Sequence, residues 1–342
     1  MRKAVGIALV FVLFGLGEVG RAEAQFVSPG QLGDALIFPL WDVNNLNTLI
    51  AIESGTNTTH FHRVRFRDEM GSNVLQFTLC LPPFATWSAA ISRDGSLTKV
   101  ESSSTHLVNQ SISPLLTTLT GNPTRGYIEV IALRGLTSAS SNLAICSDPT
   151  LGDDANNGSL MGQVYYVNPA QSPVLAYGAN ALAIADFFGE KILDFTVLED
   201  SFTADALIFQ GTNTPAFLST EFNSRFFVAP EFGAVTQVVM TFASGPTTGL
   251  CPECRVPSSL TFAPFSESGT DLTDFTRTTG GKLANVFNVT SGDIAATGGM
   301  LEIFETGFPG DSIPVTGFVV QTTTAPPPGQ PFFNVLFPLG IK

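Results

Sequence analysis

Charge is the scarcest resource in this chain. Only 13% of its 342 residues are Asp, Glu, Lys or Arg, and the basic share is 16 residues against 29 acidic ones. Lys and Arg this few and this scattered do not build the dense cationic surface that a phosphate backbone or an anionic membrane surface requires, so nucleic acid is not an expected partner. Histidine is rarer still, with three copies, and there is no Gly-x-Ser-x-Gly elbow, which leaves a His-dependent nucleophile without its parts. Two Trp and four Tyr are too few for the aromatic girdles of an outer-membrane barrel, and Lys342 stands where an aromatic end is expected of one. After the N-terminal stretch, no apolar run approaches the ~20 residues of a membrane-crossing helix, so the mature chain is expected to have none.

What is present argues for folding. Twenty-nine Phe and a 44% hydrophobic share supply ample apolar surface to bury, which disordered chains lack. A Phe-packed β core accounts for most of it. Uncharged surface left outside such a core favours association with another subunit.

Residues 1–24 read as an export signal. Arg2 and Lys3 form the basic start, Ala4–Leu16 is apolar apart from two glycines, and Ala22-Glu23-Ala24 is the small-x-small pattern cut before Gln25. No cysteine stands at the cut, so lipid anchoring is not indicated. The expected address is outside the cytoplasm: extracellular, at the cell surface or in the periplasm. Cleavage removes three basic and two acidic residues, moving the formal charge from −13 to −14 and leaving an acidic chain of 318 residues. That exceeds the usual size of one hydrophobic core, so two domains are expected, spanning 25–198 and 199–342.

Short β-branched and aromatic runs broken by Gly, Pro, Asn and Ser recur throughout. They include Ala35–Leu40, Thr48–Glu53, Arg63–Arg67, Val74–Leu81, Gly126–Leu133, Gln163–Val167, Gln237–Ala243, Leu283–Val289, Met300–Phe304 and Gly317–Thr322. This spacing predicts an all-β sandwich or barrel rather than alternating β and α. Val64 and Phe66 alternate with Arg63, Arg65 and Arg67, Asp68–Asn73 supplies a turn, and Pro82-Pro83 stops the following strand, so a hairpin is predicted. The one candidate helix is Ala181–Leu193, capped by Asn180, with strands about Gly189 as the other reading. Asp34–Phe38 is echoed by Asp205–Phe209, and Arg125–Val130 more loosely by Gly298–Ile303, which suggests two related sandwiches meeting near residue 200. The Pro-rich segment 325–331 reads as a stiff connector to a last apolar run, Phe332–Leu339.

The stretches GDALIFPLWDV, NTLIAIES and VRFRDEMGSNVLQFTLCLPPFATWSAAI lie in this order over residues 32–95. There the chain resembles a group of largely uncharacterised secreted bacterial proteins, in which similar strands precede a Leu-x-Pro turn and a Trp. The resemblance implies exported, Ig-like β-sandwich domains and carries over no catalytic residue. The fold expected is thus two sandwiches of Ig-like or jelly-roll type behind a cleaved signal peptide.

Cys80, Cys146, Cys251 and Cys254 are an even set, which in an exported chain favours disulfides. The most economical pairing is Cys251 with Cys254 and Cys80 with Cys146. Cys251-Pro252-Glu253-Cys254 sits among Gly and Pro rather than before a helix, and Arg255 occupies the place where haem attachment needs His, so a structural clip is preferred over redox or haem chemistry. His60 and His62 share a strand face but have no third ligand nearby. Asp148, Asp153, Asp154 and Asn156 gather oxygen ligands on one loop without EF-hand spacing, making a solvated loop the first reading and Ca2+ the second. Arg63, Arg65 and Arg67 form a stripe that could meet an acidic partner or polysaccharide, or pair internally with Asp68, Glu69 or Glu129.

No residue set amounts to an active site. The expected function is therefore a non-enzymatic structural or binding component of the cell surface or envelope, acting in adhesion or assembly through sandwich surfaces and strand edges. Its partners would be protein, polysaccharide or further copies of itself, with Gln25–Gly33 or Phe332–Leu339 able to supply a strand to a neighbour. The competing class is a secreted carbohydrate-active or other hydrolase, drawing its carboxylates from Asp148, Asp153, Asp154, Asp186, Glu190 and Asp194.

Overall fold

Period-2 alternation of apolar and polar residues organises the described residues into strands. The computed structural model describes residues 26–27, 32–33, 35–44, 46–57, 59–103, 115–134, 160–168, 175–180, 182–185, 190–191, 222–230, 233–242, 257–305, 315–323, 335–338 and 340–341. Every element in these residues is a β-strand, and none is a helix long and apolar enough to cross a membrane.

The first strands are β1 (Phe26–Val27), β2 (Ala35–Asp42), β3 (Asn47–Ser54), β4 (His60–Asp68), β5 (Asn73–Leu81), β6 (Thr86–Asp94) and β7 (Leu97–Ser102). They are followed by β8 (Leu115–Thr118), β9 (Arg125–Arg134), β10 (Leu160–Asn168), β11 (Leu175–Asn180), β12 (Leu182–Ala185) and β13 (Glu190–Lys191). Sheet I has seven strands in the order β1-β12-β2-β9-β4-β5, with β13 added to β9, and sheet II has six in the order β11-β10-β3-β6-β7-β8.

The later strands are β14 (Phe222–Phe227), β15 (Ala234–Phe242), β16 (Ser259–Ser266), β17 (Phe275–Thr278) and β18 (Ala284–Val289). After them come β19 (Gly298–Glu305), β20 (Val315–Thr323), β21 (Val335–Pro338) and β22 (Gly340–Ile341). Sheet III runs β17-β16-β19-β14-β22 and sheet IV runs β18-β15-β20-β21. Among the described residues no sheet mixes strands from before residue 192 with strands from after residue 221.

The predicted strands are all present within a few residues of their expected ends, including the hairpin of β4 and β5 across Asp68–Asn73. Leu81 ends β5, and Pro82 and Pro83 follow it in the turn to β6. Of the two readings of Ala181–Leu193, the described residues agree with strands about Gly189 rather than with a helix: the segment contains β12 and β13. The reason is non-local: β12 pairs on one side with β1 and on the other with β2, through Phe26↔Ala185 and Leu182↔Ile37. A short Ala-rich apolar run yields its weak helical preference to two ladders of backbone hydrogen bonds.

Alternation puts Leu36 and Phe38 of β2, Val64 and Phe66 of β4, Ile50 and Ile52 of β3 and Trp87 and Ile91 of β6 into one buried cluster between sheets I and II. Phe77 ties its aromatic part together, with ring centroids 6.2 Å from Phe66 and 5.3 Å from Trp87. A second cluster includes Phe226, Phe242, Phe262 and Phe287 from sheets III and IV. There Phe262 stacks on Phe275 at 5.1 Å and meets Phe287 edge-on at 5.6 Å. The phenylalanines thus fill both cores, as their number suggests.

The clusters are not separate. Val239, Phe318 and Val320 join the first, and Ile37 and Tyr127 join the second. Backbone N–H groups of Leu283 and Ala284 donate to the Glu69 carbonyl at 2.7 and 3.2 Å, and Lys282 Nζ lies 2.7 Å from Glu69 Oε1. Thr241 Oγ1 also donates to the Pro39 carbonyl. Of the terminal runs considered for donation to a neighbour, the described parts pair within the chain: Phe26–Val27 of β1 with β12, and Val335–Pro338 of β21 with β20.

Candidate functional site

The arginine stripe lies inside the protein. Arg63, Arg65 and Arg67 are 1%, 2% and 9% exposed, because β4 runs between β5 and β9 and is covered on both faces. Val64 and Phe66 fill the sandwich core on one side, while the guanidinium groups occupy the other. Register places Glu129 of β9 directly opposite Arg65, and Arg67 Nε donates to Glu129 Oε2 at 3.2 Å. Arg65 Nε donates to Gln76 Oε1 at 3.0 Å, and Arg67 NH1 to the Gly71 carbonyl at 3.2 Å. The other two acids suggested as partners do different work. Asp68 Oδ1 accepts the N–H groups of Met70 and Ser72 and so caps the hairpin turn, while Glu69 pairs with Lys282. Tyr127, buried beside this cluster, has its phenol pushed far up, first by burial and then by the Glu129 charge.

Other candidate residues divide by position. Cys80 is fully buried and is not a free thiol. Cys146, Cys251, Cys254, Asp148, Asp153, Asp154, Asn156, Asp186 and Asp194 lie outside the described residues. His60 and His62 share a face, with ring centroids 6.2 Å apart, but both are buried. Among the described residues no three His, Cys, Asp or Glu groups gather as a metal site.

An open pocket in the second half is lined by Asp271, Thr273, Ser291, Gly292 and Asp293 among others. Asp293 is committed to structure there. Its Oδ1 accepts from Arg277, and its Oδ2 accepts from Thr290 N at 2.9 Å and Thr290 Oγ1 at 3.0 Å. Burial pushes its pKa up, but the hydrogen bonds from Arg277 and Thr290 outweigh that and hold it below the usual carboxylate value. A carboxylate held ionised in this way is a turn cap, not a general acid.

The outer face of sheet II is the feature that no core argument explains. β3, β6, β7 and β10 alternate cleanly, with every second residue buried. The outward set mixes apolar and small polar side chains with a few charges. Its described charges are Glu53, Asp94, Lys99 and Glu101, and Lys99 is paired to Asp94. Register aligns Tyr165, Leu49, Ala90, Glu101 and Leu116 directly opposite one another across β10, β3, β6, β7 and β8. Tyr165, Leu49 and Leu116 are 40%, 39% and 58% exposed. With strands ~4.8 Å apart, this row crosses roughly 19 Å of sheet. Composition showed that uncharged surface existed; only pairing of distant strands lines it up.

Phe84 adds a local cost. It is 70% exposed and has φ 55°, in a turn closed by Ala85 N–H donating to the Pro82 carbonyl at 3.1 Å. Pro83 suits the second position of such a turn, and the third position, with positive φ, suits Gly. An L-residue with a Cβ gives up ~1–2 kcal/mol there. Phe84→Gly is therefore expected to raise stability by up to about 1 kcal/mol after the entropy of Gly is counted, read as a higher urea midpoint at unchanged slope.

No family model matches this chain, and no curated protein is detectably similar to it.

Proposed function

We propose that this is an exported structural or binding protein of the cell surface or envelope, acting by contact through its sheet faces and edges in adhesion or assembly. The observation that carries this reading is the outer face of sheet II, where exposed Tyr165, Leu49 and Leu116 lie in one row that Glu101 of β7 interrupts. Covering the exposed Tyr165, Leu49 and Leu116 side chains removes apolar area from water, which favours contact there. The exposed aromatic of Phe84, retained in a conformation that favours Gly, is a second contact point of the same kind. Disulfides joining Cys80 to Cys146 and Cys251 to Cys254 fit a protein that must persist outside the cell, with Ca2+ at Asp148, Asp153, Asp154 and Asn156 a further support.

The test is sedimentation of the mature chain over a wide concentration range, with retention on envelope protein and polysaccharide fractions measured alongside. Association or retention is expected, and Leu49→Lys with Tyr165→Lys should weaken it at least tenfold by placing two charges in the contact. A wild-type chain that stays monomeric and is retained on neither fraction would remove the basis of this reading.

A further inference from the structure

β4 carries two histidines where a sandwich interior normally carries aliphatic side chains. His60 and His62 alternate in phase with Val64 and Phe66, so they point between sheets I and II. Their ring centroids are 6.2 Å apart, and they are 4% and 0% exposed. Neither ring nitrogen of His62 has a hydrogen-bond partner among the described residues. The residues opposite the pair on β5 are Leu81 and Leu79, and the residue opposite His62 on β9 is Ala132. From sheet II the inner faces of β3, β6 and β7 offer Ile50, Ile52, Trp87, Ala89, Ile91 and Val100, none of them titratable, and β10 offers Leu160, Val164 and Tyr166, whose hydroxyl donates to the Leu40 carbonyl at 2.7 Å. Asp42 and Arg125 pair with each other, and Arg125 lies seven residues along β9 from Ala132, roughly 23 Å away. Arg63, Arg65 and Arg67 point to the opposite face of β4. Among the described groups, His60 is therefore the titratable neighbour that acts on His62, and it acts by repulsion.

We infer that the His60–His62 pair is an acid-sensitive latch: proton uptake at His62 releases the β4–β5 side of the first sandwich and exposes its apolar interior. An imidazolium at this buried position would find no carboxylate among the described residues and no water to share its charge. Burial first, and His60 second, hold the His62 pKa well below the ordinary value of 6.5. The native state thus binds fewer protons than the unfolded chain once the pH drops below about 6.5. Stability is then complete above that pH and falls as the pH is lowered through it, down towards the depressed native value. For a protein outside the cytoplasm, where pH is not held constant, this makes exposure of apolar contact surface conditional on acid.

The test compares the mature wild-type chain with His62→Leu between about pH 7.5 and about pH 5.5, above the carboxylate range of ~4. In wild type the folding equilibrium constant from urea titration should fall by up to about tenfold per pH unit below pH 6.5. Hydrogen exchange should rise in residues 60–68 and 73–81 and stay level in residues 234–242 and 284–289. His62→Leu should show no such fall. A parallel fall in the variant, or none in wild type, would overturn the latch. If the variant does not fold, the imidazole Cε1–H resonances of wild type decide: His62 should stay neutral in the folded protein at pH 5.5, and a folded-state midpoint near 6.5 overturns the proposal.

Discussion

Alanine at position 126 is expected to cost more than ~4 kcal/mol and to leave little folded protein, the range reserved for substitutions that force backbone apart. Gly126 on β9 lies opposite Trp41 of β2 on one side and Asp68 of β4 on the other. The Trp41 indole spans this strand, and its Nε1–H donates to the Arg67 carbonyl on β4 at 3.0 Å. A Cβ on residue 126 would sit 1.8 Å from that carbonyl oxygen and 2.8 Å from Nε1. The first neighbour is backbone in the middle of sheet I and cannot step aside without breaking the β4–β9 ladder. Trp41→Phe, which removes the indole N–H and leaves a small cavity where the bicyclic ring was, should cost about 2–4 kcal/mol. Combining it with Gly126→Ala should not rescue folding, because the carbonyl clash remains. Urea midpoints and near-ultraviolet circular dichroism of the three variants check this; a soluble, cooperatively folding Gly126→Ala protein would contradict the geometry.

Glu129→Ala should destabilise by about 3–5 kcal/mol, the usual effect of removing one partner from a buried ion pair. Glu129 is 1% exposed and accepts from Arg67 at 3.2 Å, within a face that also holds Arg63 and Arg65. Without it the guanidinium groups lose a counter-charge where water cannot replace it. Glu129→Gln keeps the acceptor oxygen but not the charge, and is expected to fall between wild type and Ala. Salt separates this pair from an exposed one: the loss should change little between low and high ionic strength, whereas Lys282→Ala, at a half-exposed pair with Glu69, should cost under about 1 kcal/mol and less in salt. An equal, salt-sensitive loss in both variants would mean that the stripe is solvated in solution.

The same residues show what could be read in advance. Val64 and Phe66 against Arg63, Arg65 and Arg67 is a strand in the sequence and a strand in the structure, and the turn at Asp68–Asn73 and the stop at Pro82 follow from local chemistry. Glu129 stood among the expected partners of the stripe. Its burial was not legible, because alternation separates two faces without saying that both will be covered. Ala181–Leu193 shows the limit from the other side: its composition allows a helix, and pairing with β1 and β2, whose sequence positions are some 150 residues away, made it strand.

The exposed apolar row on sheet II has the same origin. Tyr165, Leu49 and Leu116 are unremarkable one by one, since single exposed apolar residues are common on any protein surface. They become a row only when β10, β3, β6, β7 and β8 pair in one register. The sequence by itself determined the all-β class, the places of the strands and the Phe-filled cores, because a period of two and the turn preferences of Gly and Pro act between neighbouring residues. The tertiary structure decided which strands meet, which charges are buried and which apolar residues stay outside. Those outcomes depend on hydrogen-bond register and packing between segments far apart in the chain, where local preference carries no information.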